Sequence, residues 1–311
     1  MGRVYTMKIA IIQEAGQHAQ NRHMRESLCM QRAFNRISSV KDVMVWGHGY
    51  PAFQNNPTPD WNSFDMIIML ENYSTAWVPC LAHTTKPLKF VWSIDSHVMD
   101  VNPHKKIFDD GKYHYFLQAT SIFCDRVKNS LWFPNAYDDT IFRPSPENIK
   151  KQQFIGFCGS KLNRGDICSK IALKYPFTPD YWVLGNEMLA KIQSYKIHFN
   201  LNMNWDINYR NFETCGLRTC LVTNNNMNMD DYKDLGFIHG ENCLFWDSRN
   251  DASLFSVLAE YEDDDVSIDK IATNGYNHVC NNHTYYHRAK SLIGILEGKT
   301  PNECPHEYWK E

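Results

Sequence analysis

Ile207-Asn-Tyr-Arg-Asn-Phe-Glu-Thr-Cys-Gly-Leu-Arg-Thr-Cys-Leu-Val-Thr223 is the stretch whose reading decides the fold. Arg210 and Glu213 stand three residues apart on one face of a helix. A turn containing Gly216 follows, and Thr219–Thr223 reads as a short apolar strand. A helix running through a turn into a buried strand is one step of an α/β sheet. The pair itself has two readings. A guanidinium can hold a diphosphate in its fork of N–H donors, while a carboxylate accepts both hydroxyls of a ribose. Alternatively, the two side chains form a surface ion pair at i,i+3.

Working outward, apolar runs of strand length alternate with helix-like stretches along the whole chain. Lys8–Gln13, Val43–Trp46, Met66–Leu70, Leu88–Ile94, Tyr115–Leu117 and Leu131–Phe133 read as strands, and His18–Ile37 as a helix. Pro144 and Pro146 mark Asn135–Lys151 as a linker. The pattern then restarts with strands at Phe154–Cys158, Tyr181–Leu184, Ile197–Leu201, Cys220–Thr223 and Cys243–Phe245. Helices are expected from about Asp166 and over Ala252–Glu260, Ile268–Cys280 and Tyr285–Leu296. The expected fold class is α/β, with two Rossmann-like domains facing across a cleft and ligands at the carboxyl ends of the strands. The expected domains are residues 1–150, residues 151–284, and a closing helix and tail at 285–311 that returns to the first domain.

A chain of 311 residues is long for one core, which agrees with two domains. The net charge of −3 offers no global basic field for nucleic acid. Residues 1–150 carry 16 Lys+Arg against 14 Asp+Glu, and residues 151–311 carry 16 against 21, so the N-terminal half is the more basic. The ten cysteines form no Cys-x-x-Cys and no zinc-type grouping, so no metal site is expected. Reduced thiols in a cytoplasmic setting and no membrane span are the expectation. A dinucleotide-dependent dehydrogenase is disfavoured, because Glu14-Ala15-Gly16-Gln17-His18 stands where Gly-x-Gly-x-x-Gly would follow the first strand.

Four segments, taken in order, resemble family-4-type glycosyltransferases. They are Trp132-Phe-Pro-Asn-Ala-Tyr-Asp-Asp-Thr-Ile-Phe-Arg-Pro144, Ile155-Gly-Phe-Cys-Gly-Ser160 with Arg164 beyond it, Asn208–Thr223, and the pair Gly275-Tyr-Asn-His-Val and His283-Thr-Tyr-Tyr-His-Arg288. The last resembles the signature of the spore-maturation-protein-type branch, and phage-type members belong to the comparison. The likeness covers roughly residues 130–296. In the first half it rests on Ser93-Ile-Asp-Ser-His97 and Gly16. The resemblance implies a GT-B fold and a nucleotide-diphosphate-sugar co-substrate, a UDP- or GDP-sugar, with no separate cofactor. It implies metal-independent, retaining transfer to an acceptor hydroxyl, the leaving diphosphate being neutralised by basic side chains and a helix N-terminus. Two departures stand out. Arg218 occupies a place where relatives have Gly, and Trp205-Asp206 lies where the first carboxylate of the paired-Glu signature is usual.

The resulting donor-binding candidates are Gly159, Ser160, Lys161, Arg164, Arg210 and Glu213. Asp95 and His97, beyond the fourth strand, are candidates for catalysis, as base or sugar contact, against a capping Asp and a structural His. Asp95 as base would suit an inverting transfer instead. Glu14 and Glu71 are lesser candidates. Gly16, Arg22 and Arg25 are candidates for acceptor or phosphate contacts. On a helix, Arg22, Arg25, Arg32 and Arg36 fall within about 80° of arc, which reads either as a solvated face or as a stripe for a polyanionic acceptor. His278, His283 and His287 read as structural. The acceptor is open between a surface glycan and hydroxymethylated pyrimidines in phage DNA. A catalytically inactive sugar-nucleotide-binding module is the alternative to an enzyme.

Overall fold

The computed structural model describes residues 6–97, 101–146, 149–225 and 229–301. The chain divides into two compact units, one running to Pro134 and resuming at Tyr285, the other spanning Asn135–Thr284. The expected linker at 135–151 therefore belongs to the second unit.

The first unit is a parallel sheet of β1 (Met7–Ile12), β2 (Val40–Trp46), β3 (Met66–Leu70), β4 (Leu88–Ser93), β5 (Tyr115–Gln118) and β6 (Ser130–Trp132), in the order β2-β1-β3-β4-β5-β6. Helices α1 (Glu26–Phe34), α2 (Pro51–Asn55) and α3 (Asn102–Asp110) connect its strands. β3 reads Met-Ile-Ile-Met-Leu and is buried along its whole length, the pattern of a parallel strand covered on both faces. The order reverses between β1 and β3, where Ile9 pairs with Met66 and Ile12 with Met69. Gln13, Glu14 and Glu71 therefore leave the sheet on the same carboxyl edge, at a topological switch point.

The expected helix His18–Ile37 is two pieces. Ala19–Met24 is a 3-10 turn, Arg25 is extended at φ −62 and ψ 139, and α1 begins at Glu26. The break lets Arg25 turn back to donate through Nε to the Glu14 carbonyl at 3.2 Å. The arginine stripe is corrected with it, since a constant 100° step does not survive the break. Arg22 is exposed, Arg32 donates to the His23 carbonyl at 2.6 Å, and the Arg36 guanidinium lies 4.5 Å from the Tyr286 ring centroid.

In the second unit the parallel sheet runs β12-β11-β10-β7. Its elements are β7 (Gln153–Gly156), β8 (Cys158–Gly159), α4 (Gly165–Ala172), β9 (Asp180–Tyr181), α5 (Gly185–Ser194), β10 (Tyr195–Asn200), α6 (Tyr209–Gly216), β11 (Cys220–Asn224), α7 (Met229–Asp234), β12 (Leu244–Trp246), α8 (Asp251–Tyr261) and α9 (Asp265–Asn282). The expected strand Phe154–Cys158 splits at Phe157, after which β8 leaves β10 and pairs with β9. A Cβ at Gly156 would lie 2.2 Å from the Tyr195 ring, so the close approach to β10 needs glycine there. β9 stops at Tyr181 because Trp182 takes a left-handed φ of +60. The core gathers Ile155, Ile197, Phe199, Val222 and Leu244 from the sheet with Leu254, Ile268 and Ile271 from the helices, all buried.

α10 (Tyr285–Leu296) returns to the first unit and packs on α1. Its Arg288 is fully buried and donates through Nε to the Pro134 carbonyl at 2.8 Å. The tail beyond residue 301 lies outside the described residues.

Candidate functional site

The second unit builds its carboxyl edge from a loop, a helix start and a set of amides. Parallel strands bring the loop after β8 to this edge. There Ser160 Oγ accepts from the Leu162 amide at 3.2 Å, and Lys161 is exposed, with Nζ 5.9 Å from the Tyr181 ring centroid. Arg164 is half-buried, and its Nε donates to the carbonyl of Leu201, just past β10, at 3.2 Å. Burial lowers its pKa, opposed by the nearby carboxylate of Asp206, but a guanidinium stays charged.

Asn208 caps α6, its side chain accepting from the Arg210 amide at 3.0 Å. Arg210 Nη1 then pairs with Glu213 Oε2 at 2.8 Å, the side chains only 21% and 14% exposed. This is no solvated surface pair. Arg210 Nη2 points at Met188 Sδ at 3.1 Å, and a thioether is a weak acceptor, so that donor has a better partner in any phosphate oxygen. Asn208 caps α6 and Arg210 lies in its first turn, where the helix end favours negative charge, with Glu213 one turn further on.

Behind this face lies a buried polar network that sequence reasoning missed. Asn202 donates to Thr223 Oγ1 at 2.9 Å and to Tyr232 Oη at 2.6 Å, while Asn211 donates to Asn202 Oδ1 at 2.8 Å. Tyr232 in turn donates to Asn211 Oδ1 at 3.0 Å, and Asn224 accepts the Asn202 amide at 2.7 Å. His198 is fully buried, and its Nε2 accepts the Cys158 amide at 3.2 Å. Its Nδ1 therefore carries the proton and donates to Thr214 Oγ1 at 2.7 Å. Burial pushes its pKa far down, with the charge of Arg210 adding to the effect, so the ring is neutral. One imidazole thus ties the strand before the Gly159 loop to the residue beside Glu213. The only sequence signal for this network was the density of asparagine around 200–224, which by itself reads as turn chemistry.

Arg218 stands at φ +54 just beyond α6, the left-handed helix-end position that glycine favours. Its guanidinium reaches outward to Thr273 Oγ1 at 3.1 Å and Asp269 at 3.3 Å. Because β11 starts immediately after it, Arg218 lies at the amino edge of the sheet, away from the loop and the α6 start. His278 and His283 each place Nε2 2.8 Å from the Leu235 carbonyl, so both do structural duty.

The first unit's carboxyl edge has the opposite character. Glu71 is buried, and its Oε2 accepts the amides of Ile94 at 2.8 Å and Asp95 at 2.9 Å and the Ser93 hydroxyl at 3.2 Å. Glu26, also buried, accepts from Gln13 Nε2 at 2.8 Å and pairs with Arg25 Nη1 at 3.1 Å. Asp95 completes the group. Desolvation first, then the charges of Glu71 and Glu26, push its carboxyl up to about 7, and Arg25 opposes them. Glu71 is also raised by burial, yet its three donors favour the ionised form. The shared proton near neutrality therefore rests on Asp95. Glu14 accepts the Tyr73 amide at 2.6 Å, and Arg25 stacks 5.5 Å from the Tyr73 ring centroid. Gly16 turns the chain at φ +74, with the Arg25 side chain 3.5 Å from where its Cβ would be. His97 is half-buried two residues beyond Asp95.

The edge thus brings Asp95, Gly16 and Arg25 together with Glu71 and Glu14, and it leaves Arg22 outside. Glu26 was missed because the expected helix His18–Ile37 placed it in mid-helix among arginines, where a carboxylate reads as part of a solvated face. A cavity of about 610 Å³ lined by Val78, Pro79, Asn102, Pro103 and Ile107 flanks α3 and touches none of these groups. Among the described residues no helix is long and apolar enough to cross a membrane.

Residues 168–294 match the family model described as glycosyl transferase-like. No curated protein matches the chain. Several solved structures share its fold. Anabaena Alr3699/HepE with UDP and glucose superposes with a TM-score of 0.64 at 10% identity, over 94% of this chain and 100% of that one. An alpha-glucosyltransferase solved with UDP and a 13-mer DNA gives 0.67 at 12% identity, over 94% and 99%. T4 phage BGT with UDP and Mn2+ gives 0.58 at 14% identity, over 93% and 99%. The fold is GT-B, as the sequence resemblance implied.

Proposed function

We propose that this chain is a glycosyltransferase that moves a sugar from a UDP-type nucleotide-diphosphate-sugar to an acceptor hydroxyl. The observation that carries the reading is the half-buried Arg210–Glu213 pair on a capped helix start, beside the Gly159–Arg164 loop and inside the stretch that matches the family model. Glu213 accepts the ribose hydroxyls, held in place by Arg210. Arg210 Nη2, Arg164 and Lys161 neutralise the diphosphate, with Gly159 and Ser160 lending close backbone approach. The departing diphosphate is where charge develops, so fixed cations there lower the barrier most.

In the first unit Asp95 takes the acceptor proton, Arg25 and Glu71 set its basicity, and His97 and Gly16 border the acceptor. A direct displacement with Asp95 as base inverts the anomeric centre, whereas the family resemblance implies retention. The anomer of the product decides between them.

For the acceptor, the dispersal of the four arginines weakens the case for a polyanion. The mild basic excess of residues 1–150 and the neighbour solved with DNA still favour modified DNA over a surface glycan. Duplex binding that falls steeply with salt supports DNA. Binding that is absent at low salt argues for the glycan.

The test of the whole reading is a thermal-shift series with UDP, GDP and their sugar conjugates, followed by a diphosphate-release assay. A shift with release is the expected result. A shift without release makes the chain an inactive sugar-nucleotide-binding module. Neither shift nor release removes the reading.

A further inference from the structure

We propose that Trp182 is the platform on which the nucleobase of the donor stacks. This rests on the donor reading above and adds to it the group that grips the base. Trp182 is 62% exposed, and its backbone sits at φ +60. A bulky aromatic residue rarely adopts that conformation, and an exposed apolar ring gains nothing from the fold by being there. Glycine would satisfy the backbone more easily, as Gly185 does at φ +61 three residues on.

The position of the ring is fixed from both sides. β8 and β9 are parallel, with Gly159 opposite Tyr181, so Trp182 emerges on the same edge as the Gly159–Arg164 loop. Its own amide donates to the Gly159 carbonyl at 3.1 Å. Beneath it Tyr181 is anchored edge-on against Phe157, centroids 5.8 Å apart. Beyond it α5 begins, and in the first turns of that helix Met188 receives Arg210, which in turn holds Glu213. Trp182 is thus tied to Gly159 on one side and precedes, on the other, the helix whose Met188 meets Arg210 and through it Glu213, the residues assigned to diphosphate and ribose. The group attached next to the ribose is the base, and a flat indole exposed over most of its surface is what suits it. Stacking tolerates any base, so the platform would hold uridine and guanosine nucleotides alike, and selection between them falls to other groups.

The experiment is calorimetric titration of UDP, GDP and inorganic pyrophosphate into the wild-type chain and into Trp182→Ala, Trp182→Phe and Trp182→Gly. Trp182→Ala should weaken UDP and GDP about five- to hundredfold, the range of one base–aromatic stack, and leave pyrophosphate unchanged. Trp182→Phe should keep most of the affinity. Trp182→Gly should melt at a higher temperature than wild type, because strain is released, yet bind UDP as poorly as the alanine variant. A purely structural tryptophan predicts the reverse, with stability and affinity moving together. Unchanged UDP affinity in Trp182→Ala overturns the inference, as does an equal loss for pyrophosphate and nucleotide. A wild-type chain that binds none of the three ligands overturns the donor reading together with this one.

Discussion

At the carboxyl edge of the first sheet, Glu26, Glu71 and Asp95 gather around Arg25, and one of them holds a proton near neutral pH. At the corresponding edge of the second sheet, Asn202, Asn211, Asn224, Thr223 and Tyr232 satisfy one another without a formal charge. Both are buried polar clusters at the ends of parallel strands, yet they respond differently to pH. Like charges out of water cannot all ionise, so the first edge stores a titratable proton. Amides and the threonine hydroxyl do not titrate, and burial pushes the Tyr232 phenol well up, so the second edge keeps one geometry at any ordinary pH. The contrast matches the proposed division of labour, in which one unit moves a proton and the other holds a charged donor still.

The harshest way to break this comparison is Asp95→Asn. Diphosphate release should fall about 10²–10⁴-fold with UDP affinity unchanged, and the wild-type rate should rise with pH through an apparent value near 7. The sign for stability is opposite. A carboxyl raised from 3.8 to about 7 contributes fully below the unfolded value and loses that contribution as pH climbs through the folded one. Asp95→Asn should therefore raise Tm at pH 8 and leave it nearly unchanged at pH 4. An equal change in Tm at both values breaks the proton-storing account.

Next in size is Glu213→Gln, expected to weaken UDP binding by roughly 10- to 100-fold, about 1.4–3 kcal/mol, as a charge-assisted pair with ribose is lost. Its pH–rate profile should keep the shape of the wild type, since the proton store lies elsewhere. A profile that shifts would join two regions held here to be separate.

Asn211→Leu should cost about 2 kcal/mol in denaturant unfolding, by orphaning its buried amide and hydroxyl partners. That cost should be flat from pH 5 to 9. A slope across this range would mean the second edge also carries a titrating group.

The smallest effect belongs to Arg218→Gly. Releasing the left-handed arginine should stabilise by about 1 kcal/mol, offset in part by the exposed ion pair to Asp269. Diphosphate release should be unchanged. A loss of turnover would draw the amino edge of the sheet into the chemistry.

What could be read in advance follows from which forces act locally. Met66–Leu70 and Tyr285–Leu296 fall where the apolar runs placed them, because burial on both faces or one helical stripe leaves a pattern in the residue order. The split of His18–Ile37 was not readable, since the break at Arg25 answers to the Glu14 carbonyl from another segment and to the neighbouring Glu26 carboxylate, itself held by Gln13. Tertiary partners overrode a good helical period there. At the second edge, Arg210 and Glu213 were visible as a pair, but their burial was not. The asparagine network behind them was invisible for the same reason, because each member finds its partner across a strand or a helix rather than along the chain. Trp182 carried no signal at all until its backbone angle and exposure were known.

The return of α10 to the first unit has a consequence for how the protein is made. Residues 135–284 are an insertion, and their ends adjoin: Tyr137 bridges Thr284, and its amide donates to the His283 carbonyl at 3.2 Å. During synthesis the first sheet emerges early but must wait for the last helix, and for Arg288 in particular, before its core is closed. The second unit, contiguous and later, can finish before the earlier one. A segment whose two ends meet is also one that can be cut out whole, expressed alone, or exchanged for another of its kind without rethreading the host.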